Sequence, residues 1–144
     1  MKNWIVTLFF AVLASTGLRA QTETVIHQTF MVDSIKSLTL NLYGDYEVDF
    51  WAGNTILAET KVQLFNGPEH VLKFFIEEQQ RYRINDTLVD STALLLVSHV
   101  MDRKEIAYRG TPCREIVRLR LFIPDVFQAQ SEKVYAIREE EDQD

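Results

Sequence analysis

The chain has 144 residues, 15 of them basic and 21 acidic, and its net charge is −6 at pH 7. This length suits one domain with a self-supporting apolar core, and the acidic balance disfavours nucleic acid and anionic membrane surfaces as general partners. The single cysteine, Cys113, excludes an internal disulfide, so packing alone must hold the domain together.

Residues 1–20 have the three-part pattern of a secretory signal peptide. Lys2 supplies a positive start, residues 4–14 are almost wholly apolar, and Ala20 stands where a signal peptidase would cut. The apolar run is about half the roughly 20 residues that a membrane-spanning helix needs, which disfavours a retained anchor. Cleavage would also remove Lys2 and Arg19 and shift the net charge to −8. We therefore expect an exported protein, located in the periplasm or at the cell surface.

Alternation of apolar and polar residues dominates the chain after the leader and is typical of half-buried strands. It predicts strands over 24–31, 38–42, 46–50, 56–62, 81–88, 93–100 and 115–123. The segments 46–50 and 56–62 flank Gly53-Asn54, which predicts a hairpin. The nearly continuous apolar run over 93–100 predicts a strand buried on both faces.

One stretch departs from this alternation. Asn66, Pro68 and Glu69 have the residue types of a helix start, and the apolar residues that follow have helical spacing. They predict a short amphipathic helix over about 68–80. The end of the chain, residues 128–144, closes on an acidic block, which predicts disorder because such a segment buries little apolar surface.

The sequence thus predicts a signal peptide (1–20), a β-rich domain (21–127) and an acidic, disordered tail (128–144). The expected fold class is mostly β. It is a single antiparallel-rich sandwich, or a short β-solenoid-like stack, of about eight strands with the one helix. No linker or repeat divides the domain.

The sequence contains no motif that assigns catalytic, cofactor-binding or metal-binding residues, and we predict none. His27, His70 and His99 lack the short spacing of zinc ligands, and the chain has no nucleophile elbow and no Gly-rich loop. Cys113 is expected to be a buried apolar side chain. A thiol–imidazole pair with His99 or His70, or an intermolecular disulfide, is the alternative.

Two further features suggest a surface rather than a reaction centre. Glu47 and Asp49 alternate along one strand, so we expect them on a solvated face rather than opposed across a cleft, as a glycosidase requires. Trp51 falls at a turn and could stack on a ligand, but we expect it to fold back over the edge of the sheet.

Residues 38–60 combine an alternating strand, a Gly turn, a strand ending in Trp51, a Gly-Asn turn and another strand, and Val117–Pro124 is a later strand ending in proline. Over about residues 29–126 this order resembles the adhesin-like β-solenoid domains of exported proteins from Gram-negative bacteria. In those domains Gly/Ser-rich repeats build the solenoid after the proline. The resemblance here implies a head-like cap without that stacked body, and it supplies no catalytic residues.

These observations favour an exported, non-enzymatic binding or structural module of the cell envelope. Its partner would be an envelope or surface protein or a glycan, and its oligomeric state is open. The alternative is a small secreted hydrolase that uses clustered carboxylates or Cys113. The two hypotheses differ in whether these groups converge in a pocket or are dispersed over the surface.

Mass spectrometry of the exported protein should find an N-terminus at Gln21, with the glutamine free or cyclised. This result is expected because Ala20 is the small residue that precedes the cut. Mature protein that retains Met1 would contradict cleavage and favour the membrane anchor.

Overall fold

A computed structural model describes residues 21–139. The expected signal peptide, residues 1–20, and the last part of the expected tail, residues 140–144, lie outside the described residues. Within this range the protein is mostly β, with one short helix. The bounds in chain order are β1 Gln21–Met31, β2 Ser37–Asn41, β3 Tyr46–Trp51, β4 Thr55–Phe65, α1 Glu69–Glu77, β5 Ile84–Asp90, β6 Ala93–Ser98, β7 Ala107–Tyr108, β8 Thr111–Pro112, β9 Arg114–Pro124, β10 Phe127–Ala129 and β11 Val134–Ile137.

Sheet A has four strands in the order β1-β4-β9-β3. β4 pairs antiparallel with both β1 and β9, whereas β3 pairs with β9 in parallel. The predicted hairpin between 46–50 and 56–62 is therefore wrong, because β9 lies between the two strands. Their short connection crosses the end of β9, where Asp125 donates its N–H to the Trp51 carbonyl at 2.8 Å.

Sheet B has five strands in the order β10-β11-β2-β6-β5, with β2 and β6 parallel and the other pairs antiparallel. β7 and β8 form a separate small hairpin between β6 and β9. The prediction that the chain is disordered from residue 128 is wrong over 128–137, which belongs largely to β10 and β11. Phe127 and Tyr135 explain this order, since both bury their rings in the core.

The inner faces of the two sheets share one hydrophobic cluster, as their alternating patterns require. Its buried members are Phe30, Ile35, Leu38, Leu40, Ile56, Ala58, Ile84, Leu94, Leu96, Leu119, Leu121, Ile123, Phe127 and Tyr135. Residues 21–139 form neither a solenoid nor a closed sheet, so the solenoid-like stack is not the architecture of this range.

A second cluster lies beneath α1. It contains Val62, Leu64, Leu72, Tyr82, Ile106 and Cys113. Val62 and Leu64 point to the same side of β4 as Ile56 and Ala58 of the first cluster, because residues two apart share a strand face. Sheet B and α1 therefore cover the same face of sheet A, next to each other. We call the opposite face, which neither of them covers, the outer face of sheet A.

The helix is shorter than the predicted 68–80. Pro68 is the N-cap and Glu69 supplies the acid in the first turn, as expected. The helix ends at Glu77 because Gln80 adopts a left-handed conformation (φ 49°) and the Arg81 N–H donates to the Phe75 carbonyl. This closure resembles the usual left-handed end of a helix.

Two predicted strands differ in detail. β5 begins at Ile84 rather than at residue 81, because the chain turns after the helix and the Arg83 N–H donates to the Gln80 carbonyl. β6 was predicted to be buried on both faces, but its burial alternates and only one face is fully covered. The other face of β6 consists of Ala93, Leu95 and Val97, which are half-buried.

Replacing Leu121 by alanine should test the shared core. Leu121 is fully buried between the sheets, so Leu121→Ala should lower the free energy of unfolding by about 2–5 kcal/mol. Leu88→Ala is the matched control, since Leu88 is 63% exposed and should change stability by less than about 0.5 kcal/mol. Urea denaturation measures both. Equal effects of the two substitutions would contradict the two-layer packing.

Candidate functional site

The structure disperses the three histidines. The His27 ring lies 3.3 Å from a Glu59 carboxylate oxygen on the outer face of sheet A. His99 forms a 2.9 Å hydrogen bond with Asn85 at the edge of sheet B, and His70 packs edge-on against Tyr108. Within residues 21–139, no three His, Cys, Asp or Glu side chains are grouped as a metal site would require.

Cys113 is buried in the second cluster, with 3% of its surface exposed, which confirms the prediction of a buried apolar side chain. Its Sγ donates to the Asn66 carbonyl at 3.5 Å, and Gly67 packs against it so closely that a Cβ there would lie 3.0 Å from the sulfur. A thiol in this position cannot reach a substrate in solvent without local unfolding.

Trp51 was predicted to fold back over the edge of the sheet, and it folds back over its own turn. Its indole N–H donates to the Thr55 carbonyl at 2.9 Å, and its ring occupies the space in which Gly53 would carry a side chain. Any larger residue at Gly53 would displace the ring. Because the indole is bonded and covered, Trp51 is not a free platform for stacking on a ligand.

The outer face of sheet A carries side chains of both charges. Its central side chains are Glu23, Val25, His27, Glu47, Asp49, Leu57, Glu59, Lys61, Arg118, Arg120 and Phe122. The expected solvated position of Glu47 and Asp49 is confirmed, since both lie on this face of β3. The register aligns Glu47, Arg120, Glu59 and His27 in one row across all four strands.

Cross-strand contacts fix the side chains of this face. Arg120 donates from Nε to Asp49 at 2.5 Å, and its guanidinium lies 4.8 Å from the centre of the Phe122 ring. The hydrogen bond and charge of Asp49, followed by the charges of Glu47 and Glu59, raise the pKa of Arg120. The row is thus an arginine enclosed by carboxylates.

A second group of contacts lies towards β1. Lys61 lies 3.2 Å from Glu23, and Gln63 donates to the same carboxylate at 2.7 Å. The hydrogen bonds from Gln63 and Lys61 lower the pKa of Glu23. Each exposed pair contributes little stability, but together they limit the conformations that the side chains of this face adopt.

An open cavity of about 390 Å³ lies at the start of β3. The pairing of β3 with β9 begins there, at Tyr46 and Leu119, so the part of β9 before Leu119 has no β3 partner. Glu47, Glu59, Lys61, Arg118 and Arg120 are among the side chains that line the cavity. Arg120 is opposite both Glu47 and Glu59 in the register, so a positive charge separates the two carboxylates.

A buried polar cluster, which sequence analysis did not predict, lies at the end of α1. Arg81, which is 6% exposed, donates to both carboxylate oxygens of Glu115 at 3.0 and 3.1 Å and to the Lys104 carbonyl at 2.8 Å. The Tyr82 hydroxyl also donates to Glu115. The Arg103 guanidinium stacks 4.4 Å from the centre of the Tyr43 ring, and burial lowers the pKa of Arg103.

This cluster joins the end of the helix, the loop before β7 and the start of β9. Among the described residues no buried side-chain nitrogen or oxygen lacks a partner. A bidentate arginine–carboxylate pair with every group bonded is a structural connection and offers no open position to a substrate.

The chain matches no protein-family model, no curated protein and no solved structure. The resemblance to adhesin-like β-solenoid domains therefore stays a prediction.

Tyr82→Phe should change the alkaline stability of the protein. Burial, and then the hydrogen bond to Glu115, raise the pKa of Tyr82 well above its usual 10.0. Because the pKa of Tyr82 is higher in the folded state, its contribution to stability is fully present below pH 10. Above pH 10 only the unfolded chain releases the proton, so the free energy of unfolding falls by about 1.4 kcal/mol per pH unit. Tyr82→Phe should remove this decline in urea denaturations between pH 9 and 11.

Burial also raises the pKa values of Tyr46 and Tyr135. Wild type and both variants keep these two tyrosines, so their contribution to the pH dependence of stability is the same in all three proteins. Tyr108→Phe, in the β7–β8 hairpin, is the matched control and should keep the wild-type pH dependence. Parallel curves for wild type and Tyr82→Phe would contradict the assignment to Tyr82.

Proposed function

We propose that the chain is an exported, non-enzymatic binding module of the cell envelope that contacts a protein partner through the outer face of sheet A. In this proposal the two sheets form a sandwich, and the side of sheet A away from sheet B and α1 is the contact surface. The leader pattern of residues 1–20 and the resemblance to exported adhesin-like domains support export and the envelope location.

One observation carries the proposal. The outer face of sheet A is uncovered by any element in residues 21–139, and its charged side chains are nevertheless ordered by ion pairs and stacking. Arg120 is held by Asp49 and Phe122, and Lys61 is held beside Glu23. A surface whose side chains are already ordered loses less conformational entropy when a partner binds.

The dimensions and chemistry of the face favour a protein over a glycan. Four strands spaced about 4.8 Å apart, with paired lengths near 30 Å, give an area on the order of 600 Å². That is close to the roughly 800 Å² per partner of a standard protein–protein interface. Sugars are usually recognised by exposed aromatic rings, whereas Trp51 is bonded within its own turn and Phe122 is stacked by Arg120.

The hydrolase alternative has less support. Its thiol, Cys113, is buried, and Glu47 and Glu59, the carboxylates that line the same cavity, are separated by Arg120. A glycosidase places two carboxyl groups across a cleft, one of them protonated.

Arg118→Glu should test the surface. Arg118 is exposed on the outer face and lies opposite Lys61 in the register, so the new glutamate gains a favourable neighbour and the fold should persist. Wild type and Arg118→Glu are immobilised separately, and the variant should capture at least tenfold less of a specific envelope protein. Reversing a charge in the interface should cost more than about 1.4 kcal/mol of binding free energy, which is a factor of ten in affinity. Quantitative mass spectrometry of proteins eluted from the native envelope measures this.

Arg109→Glu is the matched control, since Arg109 lies in the β7–β8 turn, away from sheet A, and the same charge reversal there should leave capture unchanged. The proposal fails if both variants capture the same proteins as wild type. It also fails if the purified protein hydrolyses chromogenic glycosides or esters and Glu47→Gln abolishes that activity.

A further inference from the structure

The free edge of β1 lacks the features that usually protect an edge strand. Among residues 21–139, β1 pairs only with β4, over its whole length and without a bulge. About half of its backbone N–H and C=O groups therefore point away from the sheet. Natural edge strands are usually protected by charged side chains, proline, bulges or short length. β1 has eleven residues, no proline, no bulge and one acid, Glu23, which Lys61 and Gln63 already bind on the outer face.

The other edge strands do have such features. β10 has three residues, and β3 has six and carries two acids. β5 has a register shift after Leu88 and acids at Asp86 and Asp90. β1 is thus the one described edge on which a regular strand could add over a long distance.

A groove lies beside this edge on the inner side of sheet A. It has a volume of about 370 Å³ and is bounded by β1 on one side and by the end of α1 and the following turn on the other. Ile26, Ile76 and Tyr82 form its apolar part, and Gln28, Glu77 and Arg83 are among its polar neighbours. A strand added to β1 would direct every second side chain into this groove.

The charges around the groove indicate what those side chains would be. α1 ends there with Glu77 and Glu78 and has no basic residue in its last turn, although the carboxyl end of a helix disfavours acids. Arg83 is the one cation among the residues that line the groove, where it donates to Gln80, and the two carboxylates Glu77 and Glu78 outnumber it at the end of α1. A cationic side chain is therefore favoured next to an apolar one.

We propose that β1 and α1 form a second binding site, which takes up an extended peptide segment of a partner protein as an additional strand of sheet A. The peptide places one apolar side chain between Ile26, Ile76 and Tyr82 and a lysine or arginine two residues away beside Glu77. Backbone hydrogen bonds along β1 supply affinity, and the groove supplies the selection of side chains. This inference rests on the proposed binding function but uses a different surface from the outer face.

A synthetic peptide tests the site directly. The probe is acetyl-Thr-Thr-Thr-Leu-Thr-Lys-Thr-Thr-Thr-amide, in which leucine and lysine share one side of an extended chain. We expect it to bind the exported protein and to perturb the backbone amide NMR signals of residues 21–31. Two peptides N-methylated at alternate residues, one for each edge of the strand, should differ at least tenfold in affinity, because only one edge faces β1.

A charge exchange tests the groove. Glu77→Lys places a favourable charge at the end of α1, so the fold should persist. Glu77→Lys should lower the affinity for the probe at least tenfold. A peptide with glutamate in place of lysine should bind this variant with the affinity that the original probe has for wild type. Glu105→Lys, at an exposed acid outside the groove, is the matched control and should leave probe binding unchanged.

The inference is overturned if the probe does not bind, if both N-methylated peptides bind equally, or if the NMR changes fall outside β1 and α1. It is also overturned if the protein forms a concentration-dependent dimer in which amides 21–31 become protected, since a second copy would then occupy the edge. If the probe fails while Arg118 still controls capture of an envelope protein, only this inference fails. If that capture fails as well, the proposed function fails with it.

Discussion

The position of β9 between β3 and β4 is the constraint on which the rest of the structure depends. Its inward residues enter both hydrophobic clusters, with Leu119, Leu121 and Ile123 in the first and Val117 packed against the second. Its outward arginine, Arg120, completes the charged row of the outer face. One strand thus joins the core under sheet B, the core under α1 and the proposed contact surface. Any change in its register would alter all three, because a shift of one residue exchanges the two faces of a strand.

Sequence reasoning predicted seven of the eleven strands in residues 21–139 but not their neighbours, and β9 shows why. Alternation is a local signal, so β3 and β4 could be recognised from their own residues. Their pairing was assigned from the short Gly53-Asn54 connection, which ordinarily indicates a hairpin. The partner that separates them is distant in the chain, since Tyr46 is opposite Leu119. The same limit applies to the C-terminal segment, where charged residues suggested disorder although Phe127 and Tyr135 belong to the core.

The buried pair of Arg81 and Glu115 marks a second limit. A charged residue within an alternating segment is normally assigned to solvent, and nothing local shows that it will be desolvated. Arg81 becomes buried because Gln80, in the turn that follows the helix, is left-handed and directs the chain back onto β9. Glu115 lies on the inner side of β9, where the other inward residues are apolar. Each charge is acceptable there only because the other is present, as removing one partner of a buried pair typically costs about 3–5 kcal/mol.

Both proposed binding surfaces follow from the unequal covering of sheet A. Sheet B and α1 occupy one face, so the polar half of each alternating strand is left on the other. The sequence predicted that such a polar face exists, from Glu47 and Asp49, but it could not predict the alignment of Glu47, Arg120 and Glu59, which depends on register. The groove beside β1 has the same origin, because α1 packs against the inner face near the edge and no described strand continues the sheet beyond it. A sheet face ordered by ion pairs and an unprotected edge would present two adjoining surfaces to one partner. A partner that used both would gain effective concentration at the second from binding the first, so that weak contacts at each could combine into a stable complex.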